Sequence, residues 1–376
     1  MSLALHEFHH SLGAKFTGLN GAETVVDYGD WLAEHAALRE SAGVMDLSFR
    51  SRLCLVGADR VRYLHGQVTN DVKKLRVGAG CYSALTTNKG KMESDLNIFC
   101  LPEELLLDFE PGLAGKVSQR LEKFIVADDV QIVDAAPHYG LLSVQGPKAG
   151  AVIQAIGLFT EIPAAPFASL KISDAMLGEI YLANHPRLDS TWWGETPSSL
   201  GTSRISGFDL FIPTASLGAV ADKLIAAAKN VGGGGVGWTA WETVRIEAGI
   251  PRFGADMDET NIPLECGIES RAIVYNKGCY IGQEVINRIH SVGHVNRELR
   301  GLRLADDLPT LPQRGDRLFH AGKEIGQITS AVKSPSFGNI ALGYVRRENN
   351  QIGNELILRT ASGESAARIV ALPFVR

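Results

Sequence analysis

The stretch Lys277-Gly278-Cys279-Tyr280-Ile281-Gly282-Gln283-Glu284 stands where the character of this chain changes. Upstream of it, helical and strand periodicities alternate. Beyond about residue 290 helical spacing largely disappears, and short strands at 299–304, 324–331, 340–344, 356–359 and 367–370 alternate with glycines. That shift reads as an α+β region followed by a small all-β domain, a barrel by its strand pattern. The octet itself sets one thiol beside a lysine on a glycine-flanked turn, just before residues 284–289 begin a helix. A thiol near a cation and a helix N-terminus ionises more readily than a free cysteine. Cys279 is therefore a candidate for thiolate chemistry or soft-metal contact, against the plainer reading of a small buried hydrophobe.

Upstream, residues 241–248 have helical spacing, closed by Ile250-Pro251. The four glycines 232–235 read as a flexible connector, because a phosphate cradle would need the lysine and serine or threonine of a P-loop. Residues 208–213 read as a strand, with Leu217, Val220, Leu224 and Ile225 following at helical spacing. Strand 141–144 ends at a helix start marked by Gly146-Pro147. In the first third, a helix over 33–42 precedes a strand at 52–56. Another helix starts at Gly57-Ala58-Asp59 and carries Val61, Leu64, Val68 and Val72 at helical spacing. Strands 82–86 and 96–101 flank the turn Asn88-Lys89-Gly90-Lys91, and strand 105–109 follows. Leu113, Val117, Leu121 and Phe124 mark a further helix, and 130–133 is extended.

At 376 residues the chain is too long for one ordinary core, and two or three domains are expected. Its 45% hydrophobic and 21% charged residues suit a globular protein without staples. A formal net charge of -5 gives no global basic field, so direct nucleic-acid binding is not expected. Cysteines 54, 81, 100, 266 and 279 form no C-x-x-C pair and are odd in number, which argues against a disulfide framework or a structural zinc site. No metal ligand set is expected; His6, His9 and His10 lack a carboxylate partner in sequence. The first residues have no secretory pattern, and no run of about 18 apolar residues could span a membrane. A reducing, aqueous compartment is expected, the cytoplasm, or the mitochondrial matrix if the source is eukaryotic.

An ordered series of short blocks resembles the glycine-cleavage T-protein (aminomethyltransferase) superfamily. It runs through Leu12-Gly13-Ala14-Lys15-Phe16, Gly43-Val44-Met45-Asp46-Leu47-Ser48, Thr69-Asn70-Asp71-Val72 and Val144-Gln145-Gly146-Pro147-Lys148. It continues through Arg245-Ile246-Glu247-Ala248-Gly249-Ile250-Pro251, Asp258-Glu259-Thr260 and Pro263-Leu264-Glu265. The octet at 277–284 resembles the hallmark of the YgfZ-like branch, folate-binding proteins linked to iron–sulfur protein maintenance and, indirectly, to tRNA modification. The resemblance implies a three-lobed fold around a central cavity: residues 1–50 plus 138–237 as a first lobe, 51–137 plus 238–290 as a second, and 291–376 as the β-barrel.

It also implies tetrahydrofolate, or a one-carbon derivative, in the cavity. Family members hold the pterin with an acidic residue in a Gly-aromatic-acidic strand; here that position is Asp209, in Gly207-Phe208-Asp209-Leu210. A carboxylate accepts two parallel hydrogen bonds from an aminopyrimidine edge. Arg245 matches the family arginine, whose planar fork suits a pterin carbonyl and ring nitrogen. Tyr82 aligns with a cavity tyrosine. Aminomethyltransferases carry two consecutive aspartates after the Asn-x-x-Gly turn, the first acting as acid–base partner of the folate nitrogen. Here Ser94 takes the first place and Asp95, expected with Asp209, Arg245 and Tyr82 to bind the cofactor, the second, and serine cannot supply a titrating carboxylate. That departure argues against ordinary glycine-cleavage activity. Lys277 and Cys279 are expected to carry the chemistry, with the thiol as nucleophile, redox group or transient ligand to iron.

The expected function is a tetrahydrofolate-binding factor that supports iron–sulfur protein assembly or repair, with iron–sulfur client or assembly proteins as partners. The competing expectation is a tetrahydrofolate-dependent aminomethyl- or methyltransferase, or a demethylase. A flavin oxidase is set aside, since no G-x-G-x-x-G fingerprint occurs near the start.

Overall fold

The computed structural model describes residues 2–189 and 205–374. Residues 190–204, within the range assigned to the first lobe, lie outside the described residues.

Two large sheets, a barrel and a two-stranded hairpin, Lys15–Leu19 with Ala22–Asp27, organise the described residues. A six-stranded sheet has the spatial order Ser169–Asp174, Gly178–Asn184, Ser206–Pro213, Tyr139–Gly146, Gly43–Asp46 and Gly234–Gly235. A five-stranded sheet runs Ala79–Thr86, Met92–Cys100, Leu105–Phe109, Ser51–Val56 and Gln131–Asp134. Six strands, Arg297–Leu304, Gly338–Arg346, Lys323–Ser334, Arg317–His320, Glu355–Thr360 and Gly363–Val370, close a barrel. The first sheet thus takes strands from both sides of the segment that builds the second.

Each sheet is covered on its outer face by helices and turned inward with the other. Helices Ala149–Ala155 and Leu217–Asn230 pack Val152, Ile153, Val220 and Leu224 with Leu142, Val144 and Leu210 of the six-stranded sheet. Helices Arg60–His65 and Ala114–Glu122 pack Leu64, Val117 and Leu121 with Leu53, Leu55, Leu96 and Ile98 of the other. Because side chains alternate along a strand, sending Leu96 and Ile98 outward turns Asp95, Asn97 and Phe99 inward. The helix Trp238–Glu247 closes the inward side; Ala240, Trp241 and Val244 share a core with Phe99, Phe211 and barrel residues Leu299 and Tyr344.

Three differences from the sequence reading have clear causes. The helix expected to run to Val72 stops at His65, at Gly66; Val68 and Val72 are buried from a bridge and a 3-10 turn instead. The glycine run is no free connector: Gly234–Gly235 pairs in parallel with Gly43 and Val44, and a Cβ on Gly233 would lie 1.8 Å from the Ala42 carbonyl oxygen. Strand Arg317–His320 and the hairpin Ser169–Asp174/Gly178–Asn184 escaped notice because their polar residues mask the alternation. No helix among the described residues is long and apolar enough to cross a membrane.

Candidate functional site

A cleft opens where the inward faces of the two sheets meet the helix Trp238–Glu247. It is open at its mouth and holds about 80 Å³ of internal space. Phe49, Tyr82, Trp238 and Trp241 give it flat aromatic walls, and Asp95, Asn97, Glu110, His185 and four arginines give it polar ones.

The arginines are held by carboxylates in a continuous chain. Arg50 donates to Asp108 at 2.8 Å and to Glu110 at 2.6 Å. Arg187 spans Asp108 at 2.7 Å and Asp209 at 2.9 Å. Arg252 reaches Glu110 at 3.0 Å and lies over the Trp238 ring. Arg245 donates to Glu242 at 2.6 Å, to Asp256 at 2.7 Å and to Ser330 of the barrel at 3.2 Å. Burial pushes the Asp108 carboxyl up, but Arg187 and Arg50 outweigh it and hold the group well below its usual range. Burial, then Arg187, drives the His185 imidazole down to about 4, against the pull of Asp209. The ring is neutral at pH 7, so its Nδ1 donates to ionised Asp209 at 2.7 Å and Nε2 is left as an acceptor.

Asp95 differs from every carboxylate in that chain. Its Oδ2 accepts from the Tyr82 hydroxyl at 2.9 Å, whereas its Oδ1 is buried without a hydrogen-bond partner. Burial and the nearby Glu110 raise its pKa to about 6, with Arg50 and Tyr82 opposing. A wall carboxyl that titrates near neutrality with one oxygen free is equipped to give or take a proton. Ser94, at the position read as a lost acid, is fully buried on the opposite face and donates to the Asp95 carbonyl at 2.9 Å. The serine therefore removes no group from the cleft, and the argument against transferase chemistry built on it falls.

Of the residues expected to bind folate, Tyr82, Asp95 and Arg245 line the cleft. Asp209 has no exposed surface and sits behind His185 and Arg187 rather than in the wall. It does not pair with Arg245, whose own fork is filled by Glu242 and Asp256. Sequence reasoning missed His185, Arg187, Arg50, Glu110 and Asp108. One signal was available: Asp108 interrupts the apolar strand Leu105–Phe109, and a carboxylate there demands a buried partner.

The octet folds as a clasp. Lys277 is 7% exposed, and its ammonium donates to the carbonyls of His65 and Val68 at 2.6 Å and of Asn70 at 2.7 Å. Burial lowers its pKa to about 8, with Asp71 opposing. The cation is spent on tying the 65–70 turn to the octet and on the Tyr280 ring 4.9 Å away. Gly282 has φ +90°, and a Cβ there would meet the Thr87 carbonyl at 2.6 Å; the helix Gln283–Val292 starts directly after it. Cys279 is exposed and is not among the residues lining the cleft. All five cysteines are free, and among the described residues no group of three His, Cys, Asp or Glu side chains is placed to hold a metal ion.

Residues 5–277 match the GCVT N-terminal domain, and residues 297–376 match the glycine cleavage T-protein C-terminal barrel domain. The chain belongs to the glycine-cleavage T-protein family. An aminomethyltransferase of Shouchella clausii is 28% identical over 99% of this chain and 97% of that protein. One from Listeria monocytogenes is 27% identical with the same coverage. The crystal structure of glycine cleavage system aminomethyltransferase T from Bartonella henselae superposes with a TM-score of 0.85 at 25% identity, covering 100% of this chain and 98% of that one. The α+β region with its closed six-stranded barrel is thus the family fold. Aminomethyltransferases of this family use tetrahydrofolate.

Proposed function

We propose that this protein is a tetrahydrofolate-dependent one-carbon transferase of the aminomethyl or methyl type, with Asp95 as its acid–base group. The observation that carries the reading is the free, buried Oδ1 of Asp95 on the cleft wall, on a carboxyl titrating near pH 6. The wall residues suit a reduced pteridine: flat aromatic surfaces to pack its rings and a neutral histidine acceptor. Tetrahydrofolate, when bound, supplies the nitrogen that receives the one-carbon unit.

The chain's own residues do the rest. Tyr82 fixes Oδ2 and leaves Oδ1 to hold or release a proton in the cleft. Asp209 and Asp108 hold His185 and Arg187 in place, so Asp209 acts as a positioning residue. Arg245 fastens the helix that carries Trp238 and Trp241 to Asp256 and to the barrel. The homologues named as aminomethyltransferases favour this reading over an iron–sulfur factor. Calorimetry tests it: wild type should bind tetrahydrofolate saturably and Asp95→Asn should retain that binding, while transfer of an aminomethyl or methyl unit to tetrahydrofolate is lost in the variant. Absence of binding by wild type would end the proposal.

A second reading, support of iron–sulfur proteins through Cys279, draws on one observation: this thiol is exposed, whereas Cys54, Cys100 and Cys266 are buried. Loss of iron–sulfur enzyme activity in cells carrying Cys279→Ala, with folate binding intact, would favour it; an unchanged phenotype would remove it.

A further inference from the structure

A second cleft, of about 280 Å³, opens between the two sheets and is lined mostly by apolar side chains, among them Leu101, Leu106, Tyr139, Tyr181 and Phe211. Arg52 is part of its lining and is fully buried. This guanidinium is unlike Arg50, Arg187, Arg245 and Arg252, each of which rests on at least one carboxylate. Among the described residues, no carboxylate lies within ion-pairing distance of Arg52. Its Nη atoms donate only to backbone carbonyls, of Arg50 at 3.0 Å, Ser48 at 3.1 Å and Tyr139 at 2.9 Å, with a longer contact to Leu47. Its Nε is buried with no partner. Burial lowers the Arg52 pKa to about 10, only partly offset by the more distant Asp108 and Asp46. A buried, unpaired guanidinium is costly, and an anion that reached it would gain a charge-assisted hydrogen bond in a water-poor setting. Glu104 also lines the cleft and is an acceptor for a donor group on the same ligand.

We infer that this cleft is a binding site, separate from the folate cleft, for a small ring-sized carboxylate whose anionic end meets Arg52 and whose body packs among Leu101, Leu106, Tyr139, Tyr181 and Phe211. A flat aromatic acid matches the volume and the apolar wall, and a donor group opposite its carboxylate matches Glu104.

Titration of the full chain with benzoate and 4-aminobenzoate, followed by calorimetry and by chemical-shift changes, tests this. Saturable binding of both is expected, with 4-aminobenzoate the tighter and benzyl alcohol at least about tenfold weaker than benzoate, because it lacks the charge. Arg52→Met should remove benzoate binding. Should that variant fail to fold, Val133→Trp remains: Val133 is 43% exposed and lines the cleft, and an indole there occupies the space. It should abolish benzoate binding and leave tetrahydrofolate binding unchanged. The inference is overturned if wild type binds neither acid saturably, if Val133→Trp binds benzoate as wild type does, if benzyl alcohol binds as tightly as benzoate, or if tetrahydrofolate displaces benzoate.

Discussion

Asp95 and Cys279 sit in two regions built on opposite plans. Around Asp95 the chain spends its charges on one another: Arg50, Arg187, Arg245 and Arg252 are locked by Asp108, Glu110, Asp209, Glu242 and Asp256, and one carboxylate oxygen is left over. Around Cys279 the reverse holds. The one cation of the octet, Lys277, is consumed by three backbone carbonyls, and the thiol stands outside in solvent. A rigid frame of paired charges with the Asp95 Oδ1 left unsatisfied on its wall is the arrangement expected of a preorganised site. A saturated lysine beneath an exposed cysteine is the arrangement of a fastening. The contrast teaches that reactivity is read from what the surrounding groups leave unpaired rather than from the conspicuousness of a motif.

The contrast breaks most visibly at Asp95. Asp95→Asn should lower one-carbon transfer by about 10²- to 10⁴-fold, the usual contribution of a general acid or base, with tetrahydrofolate affinity little changed. Single-turnover kinetics with a chemically supplied one-carbon donor would read this. Lys277→Met comes next: it takes the ammonium donor from three carbonyls, of which that of Asn70 keeps a bond from the Val72 N–H, and should destabilise the fold by on the order of 3 kcal/mol in urea unfolding. A loss of transfer without loss of stability would instead give Lys277 a chemical role.

A smaller effect has the opposite sign. The Asp95 carboxyl binds its proton more tightly in the folded chain, near pH 6, than in the unfolded chain, at 3.8. Its contribution to stability is therefore full below about pH 4 and is lost as pH rises through 6. At pH 7 the wild type holds an ionised carboxylate with a dry oxygen, so Asp95→Asn should be more stable than wild type by on the order of 2 kcal/mol there, the gain shrinking as pH falls from 6 to 4. Equal stability of the two at pH 7 would contradict the burial argument. Smallest of all, Cys279→Ala should change stability by no more than about 0.5 kcal/mol and leave tetrahydrofolate binding alone, as for an exposed side chain with few contacts.

Much of the architecture was legible in the sequence because it is local. Leu105–Phe109 and Tyr139–Gly146 announce themselves by apolar runs, Leu217–Asn230 by spacing, and the barrel by glycine-punctuated strands. The site was legible only in outline. Asp95 was visible, but the departure at Ser94 drew the weight, since nothing short of the strand register tells which of two neighbours faces the cleft; one residue's shift reverses the face. The Arg50–Asp108–Arg187–Asp209 chain joins residues 58 to 79 positions apart between Arg50, Asp108 and Arg187, and such pairing has no local signature. The octet's geometry was hidden for a related reason. Adjacency of Lys277 and Cys279 in sequence says nothing about where a long, flexible ammonium goes, and here carbonyls of a distant turn claim it.

The most direct test of the central claim is the pH dependence of single-turnover transfer to tetrahydrofolate, in wild type and in Asp95→Asn. A rate limb near pH 6 in the wild type, absent from a variant that binds tetrahydrofolate but transfers at least about a hundredfold more slowly, is the predicted result. A variant that keeps both the wild-type rate and the limb would contradict it.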